Sequence, residues 1–141
     1  MILRTLEDTR TLAKRLVQRL PHGAVLLLTG PLGAGKTTLV QHLAAALGFR
    51  GRVTSPTYTL IHEYPTPEGL LVHIDAYRLP DLEDLFALGL EDYLGEARLI
   101  AVEWGQPKAF PESLEVRLEP TPAGRRVRLV PHGARYQGFA L

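Results

Sequence analysis

Ala24-Val25-Leu26-Leu27-Leu28-Thr29-Gly30-Pro31-Leu32-Gly33-Ala34-Gly35-Lys36-Thr37-Thr38 is the stretch on which the reading of this chain turns. The run 24–28 is continuously apolar and Thr29 leads into glycines, the pattern of a strand covered on both faces in a parallel sheet. Residues 30–37 then satisfy G-x-x-x-x-G-K-[ST], and residues 37–47 read as a helix that Gly48 closes. Strand, glycine loop and helix in that order are the context in which this motif, the P-loop, holds phosphate. The glycines let successive N–H groups converge on phosphate oxygens, and the helix adds the positive end of its dipole. Lys36 is expected to reach the β- and γ-phosphates, the Thr37 hydroxyl to meet Mg²⁺, and Thr38 to hold the α-phosphate. The plain alternative, a tight turn with a solvated lysine, leaves the flanking strand and helix without a purpose.

Working outward, Thr5-Leu6-Glu7-Asp8 has the form of a capping box, so a helix is expected to start there. Leu6, Leu12, Ala13, Leu16, Val17 and Leu20 recur on one of its faces until Pro21-His22-Gly23 ends it. Strands are predicted at 58–64, 70–76, 99–103, 114–118 and 126–130, the last two alternating as an exposed antiparallel edge would. A short helix is predicted at 81–90, capped by Asp81. The fold class is therefore α/β: a P-loop NTPase-like three-layer sandwich, its central sheet mostly parallel, with antiparallel C-terminal edge strands.

With 141 residues the chain is long enough for one core but short for two, and a single domain over 1–141 is expected. Hydrophobic residues at 45% and charged residues at 22% are ordinary for a folded globular domain. Sixteen basic residues nearly balance fifteen acidic ones, so no global field draws the chain to nucleic acid or a membrane. The absence of cysteine excludes disulfides, thiolate metal sites and thiol catalysis. Met1-Ile2-Leu3-Arg4 lacks the apolar core of a signal peptide and no later run is long enough to span a membrane, so the expected location is cytoplasmic.

A P-loop enzyme needs a carboxylate at the end of a neighbouring strand, where it can hold Mg²⁺ or orient water. Asp75, after Leu70-Leu71-Val72-His73-Ile74, and Glu103, after Leu99-Ile100-Ala101-Val102, both qualify, and pattern alone does not rank them. Either acid could instead cap a turn or pair with an arginine such as Arg78. His73 could serve as a proton carrier, but a lone histidine in a strand is more often packed or hydrogen-bonded, and it is left out of the site. Thr54-Ser55-Pro56-Thr57-Tyr58 lies where a segment sensing the γ-phosphate often sits, although its composition is that of a turn around Ser-Pro. Arg78 is the arginine nearest a site motif, and Arg125, Arg126 and Arg128 read as a solvated face of an edge strand.

GPLGAGKTTL, TSPTYTL, HIDAYRL and VEWG, in that order and at these separations, resemble the TsaE family of small bacterial ATPases over most of the chain. The resemblance implies an ATP- and Mg²⁺-dependent ATPase needed for making threonylcarbamoyladenosine on tRNA beside the anticodon. It implies a TsaD-like transferase and its TsaB-like partner as companions, tRNA being met only through them. Carried onto this chain, it implies that Gly30, Gly33, Ala34, Gly35, Lys36, Thr37 and Thr38 bind nucleotide and that Thr37 and Glu103 hold Mg²⁺. It also implies that Asp75 assists with metal, nucleotide or water and that Trp104 matters beside Glu103. Thr57 would belong to a switch, and Thr9 would contact the base. Slow turnover by the isolated subunit is expected if no arginine reaches the γ-phosphate without a partner. The rival readings are a small P-loop metabolite kinase, for which no Arg-rich lid is evident, and a nucleotide-switched binding module that does not hydrolyse ATP.

Overall fold

The apolar run forms β2 (Ala24–Thr29) inside the sheet of the computed structural model, which describes residues 1–53, 61–77 and 89–141. Around it the chain runs β1 (Ile2–Leu3), α1 (Leu6–Arg19), then after β2 α2 (Lys36–Ala46), β3 (Ile61–Thr66) and β4 (Gly69–Asp75). It continues through α3 (Leu90–Glu96), β5 (Leu99–Glu103), β6 (Ser113–Thr121), β7 (Gly124–His132) and a 3-10 turn at Ala134–Tyr136. The seven strands lie in the order β1-β7-β6-β2-β5-β4-β3. β6, β2, β5 and β4 run parallel, while β7 and β1 on one side and β3 on the other are antiparallel additions.

β2 shows no polar alternation because both of its faces are covered. Ala24, Leu26 and Leu28 pack with Leu12 and Leu16 of α1 and Leu39 and Leu43 of α2. Val25 and Leu27 face the other way, with Val72, Ile74, Ile100, Val102, Phe110 and Leu90 at the start of α3. Helices thus lie on both faces, as the sequence predicts, of a mixed sheet whose four inner strands β6, β2, β5 and β4 are parallel. Leu26, Leu28 and Leu39 are fully buried, so truncating any one to alanine should cost roughly 2–5 kcal/mol.

α1 begins at the expected capping box: the Asp8 N–H donates to the Thr5 hydroxyl at 3.2 Å, and the Asp8 carboxylate accepts from the Thr5 N–H at 3.1 Å. Such a cap stabilises a helix by about 1 kcal/mol. β3 is described from Ile61 onward, so the first residues of the strand predicted at 58–64 lie outside the described residues. So does 81–88 of the predicted helix; the described helix starts at Leu90 and runs to Glu96.

One expectation is corrected. β6 is not an edge: it pairs in parallel with β2 and antiparallel with β7, which lies outside it as expected, with the two-residue β1 on its outer side. Its alternation arises because Leu114, Val116 and Leu118 face the helices while Glu115, Arg117 and Glu119 face a side with less cover. Glu115 is nevertheless buried, and its carboxylate accepts from the Thr29 hydroxyl at 2.8 Å, Arg117 Nε at 2.7 Å and His132 Nε2 at 2.8 Å. Burial alone would raise this carboxyl, but those three partners outweigh it and hold it below its usual value. A depressed carboxylate contributes stability above its unfolded value and loses it as pH falls through the folded one. The wild-type chain should therefore lose stability on acidification below about pH 4. Glu115→Gln should be less stable at neutral pH and less sensitive to acid. Urea titrations of both forms between pH 7 and 3 check this, and equal slopes would contradict it.

Candidate functional site

Parallel strands place their C-terminal ends together, and here that edge gathers the loop after β2, Glu103 at the end of β5 and Asp75 at the end of β4. Leu28, Glu103 and Asp75 lie in one row across the sheet. Side chains alternate along a strand, so Glu103 shares the face of Leu99 and Ala101, and Asp75 and His73 share that of Leu71. This is the face on which α2 packs.

The loop is shaped by close approach. Gly30 has φ 139°, and a Cβ there would collide with the Leu118 carbonyl oxygen of β6. Gly35, at φ 100°, is the N-cap of α2 in the left-handed region. Ala34 is fully buried and its N–H donates to the Pro31 carbonyl at 3.0 Å, so it shapes the loop from behind. Gly33, Gly35, Lys36, Thr37 and Thr38 line a cleft of about 300 Å³ that Asp75, Glu103 and Trp104 also face.

Lys36 is 5% exposed, and its ammonium donates to the carbonyls of Gly30 at 2.7 Å and Pro31 at 3.1 Å. Burial lowers its pKa from the usual lysine value, opposed by the carboxylates of Glu103 and Asp75. Trp104 lies 3.9 Å from this ammonium, measured to the ring centroid. It adopts φ 63°, a left-handed conformation uncommon outside glycine, and its N–H donates to the Leu28 carbonyl at 3.3 Å. Tyr77 packs edge-on against the same ring with centroids 5.2 Å apart.

The Thr37 hydroxyl donates to the Glu103 carboxylate, 3.2 Å from Oε1 and 3.1 Å from Oε2. Geometry therefore separates the two acids that pattern left equal. Glu103 meets the loop threonine, whereas Asp75 lines the cleft and accepts from the Tyr77 N–H at 3.0 Å. His73, which sequence reasoning set aside, is fully buried with Nε2 2.5 Å from Glu103 Oε2. Its strand parity with Asp75 is the signal that could have placed it there. A second omission is Arg125, whose guanidinium donates to the Gly33 carbonyl at 3.4 Å. It is exposed, as expected, but period-two alternation puts it on the opposite side of β7 from Arg126 and Arg128.

Thr9 sits within α1 at 8% exposure, its N–H bonded to the Thr5 carbonyl, and does not line the cleft. Thr57 and Arg78 lie outside the described residues. Among the described residues no group of three or more His, Cys, Asp or Glu side chains is placed to hold a metal by itself. One hydroxyl and one carboxylate fit an ion such as Mg²⁺, which keeps waters and takes phosphate oxygens for its other positions.

A glycine loop joining a buried strand to a helix, on a sheet of this order, defines a P-loop NTPase-like fold. Residues 3–127 match the family model described as threonylcarbamoyl adenosine biosynthesis protein TsaE, and the chain belongs to the TsaE family. The tRNA threonylcarbamoyladenosine biosynthesis protein TsaE of Aquifex aeolicus is 45% identical over 106 residues, 74% of each chain. The protein of the same name from Mycobacterium tuberculosis is 43% identical, covering 80% of this chain and 74% of its own. The crystal structure of Bacillus subtilis YdiB superposes with a TM-score of 0.78 at 29% identity, over 97% of this chain and 87% of that one. None of the described helices is long and apolar enough to cross a membrane.

Proposed function

We propose that this chain binds ATP with Mg²⁺ in the P-loop cleft and hydrolyses it slowly, driving threonylcarbamoyladenosine formation on tRNA with a TsaD-like transferase and a TsaB-like partner. The observation that carries this reading is the 3.1–3.2 Å contact of the Thr37 hydroxyl with Glu103 at the end of the neighbouring strand. Relatives named for the same biosynthesis support the pathway. In the bound state Lys36 exchanges the Gly30 and Pro31 carbonyls for phosphate oxygens, and the N–H groups at the start of α2 turn toward the same anion. Thr37 and Glu103 would hold Mg²⁺, which when bound neutralises charge on the β- and γ-phosphate oxygens. His73 would fix the Glu103 carboxylate, and Asp75, which lines the cleft, would orient water. The near-neutral chain need not grip tRNA itself.

The reading is tested by phosphate release from ATP, with the chain alone and with the transferase pair added. Slow release accelerated by the pair is the expected result. Fast release by the chain alone would contradict the partner dependence, and transfer to a small acceptor, seen by mass spectrometry, would favour a kinase.

A further inference from the structure

The hairpin of β6 and β7 brings to the loop a cation that no motif marks. Val127 is buried, and Leu129 packs against the core shared with α1 and α2, so Arg125, of the same parity, projects toward the loop and α2. Arg126 and Arg128 project the opposite way. The Arg125 side chain rests directly on Gly35: a Cβ at that glycine would lie 3.0 Å from Nε and 3.2 Å from Cδ. With Nη2 on the Gly33 carbonyl, it lines the same cleft as Lys36, Thr37 and Thr38.

Its charge is what calls for a ligand. Arg117 and Arg128 on the same hairpin have Glu115 and Glu119 as partners at 2.7 Å and 3.9 Å. Among the described residues Arg125 makes no ion pair and donates one long bond to a carbonyl. It lies on Gly35 at the N-terminal end of α2 and lines one cleft with Lys36, and that helix end and the ammonium are both positive. Glu103 and Asp75 line the same cleft and their charges act on Lys36, but neither pairs with Arg125. A third positive group in that place is favourable when an anion lies between them. A guanidinium keeping free donors toward the cleft is suited to a phosphate oxygen.

The sheet order says which part of the anion. β6 and β7 lie on the side of β2 away from β5, so Arg125 approaches the loop opposite Glu103. With the terminal phosphate at the Thr37 and Glu103 end, where the proposed function puts it, the rest of the phosphate chain would lie toward β7 and Arg125. We propose that Arg125 is a nucleotide-binding residue that grips the nucleoside-proximal part of the phosphate chain. This rests on the reading that the loop holds a nucleoside phosphate. Arg125 would then contribute to di- and triphosphate binding alike, and the γ-phosphate would still lack an arginine from the described part of the chain.

Calorimetry of Mg-ADP and a non-hydrolysable Mg-ATP analogue tests it on the full chain. Arg125→Ala should weaken both ligands by about tenfold and by the same factor, as loss of one solvent-exposed charge-assisted contact does. Arg125→Gln, which keeps the stem lying on Gly35, should lose nearly as much, and Arg125→Lys should recover part. Arg126→Ala removes the same charge from the opposite face and should bind as wild type. Wild-type affinity in Arg125→Ala would overturn the proposal, as would loss confined to the triphosphate or an equal loss in Arg126→Ala. Lys36→Ala in the same series separates the two readings. If it too binds normally, the loop is not the site; if it alone fails to bind, the loop stands and Arg125 is excluded.

Discussion

Lys36→Ala should bind Mg-ADP at least about 100-fold more weakly than the wild-type chain and melt within a few degrees of it. The affinity loss follows from the number of bonds at stake. A buried ammonium that turns from two carbonyls to phosphate oxygens makes charge-assisted contacts worth roughly 1.5–3 kcal/mol each, so losing two exceeds tenfold twice over. The small effect on folding follows from the same environment. Burial already disfavours the charged form of Lys36, and alanine is a better helix former at the start of α2. Calorimetry and thermal melts on one preparation check both halves, and unchanged affinity would remove the loop from the site.

Glu103→Gln should lower partner-stimulated phosphate release by at least about 100-fold while leaving the fold in place. Glu103 joins two groups that no other described side chain connects, the Thr37 hydroxyl and the buried His73. Glutamine keeps the size and can still bond to one of them, but it removes the negative charge that an ion at Thr37 requires. Glu103→Ala should lose turnover equally and in addition cost roughly 1–3 kcal/mol of stability, because a buried imidazole nitrogen is left without its partner. Steady-state turnover with the transferase pair and urea denaturation of both variants separate charge from packing. Full activity in Glu103→Gln would assign the metal-side role to another group, Asp75 being the next candidate in the cleft.

The middle of the sheet and the loop were legible in sequence because each rests on a local signal that the tertiary structure reinforces. Unbroken apolar runs mark β2 and β5 as doubly covered, and the glycine spacing has few uses besides curling the backbone around an anion. The position of β6 was misread for a physical reason, although its antiparallel pairing with β7 was as expected. Alternation of Leu114, Val116 and Leu118 with Glu115, Arg117 and Glu119 reports which face of a strand is covered, and says nothing of whether its edges are paired. The position of Arg125 depends on β7 folding back beside the loop, a contact across 92 residues that no spacing encodes. Pattern left Asp75 and Glu103 equal because both end parallel strands in the same row; strand order separates them, since β5 adjoins β2 and β4 does not. His73 is buried and hydrogen-bonded, as a lone strand histidine is expected to be; that its partner is Glu103 carries no signal in the sequence, although counting by twos from Asp75 puts it on the same face.

The most direct test is a crystal structure of the chain with a non-hydrolysable ATP analogue and Mg²⁺. The phosphates should lie against the N–H groups of 33–38, with Lys36 Nζ moved from the Gly30 and Pro31 carbonyls to phosphate oxygen and the metal density between Thr37 and Glu103. A nucleotide bound elsewhere, with Lys36 still on its own loop and Thr37 still on Glu103, would contradict the account.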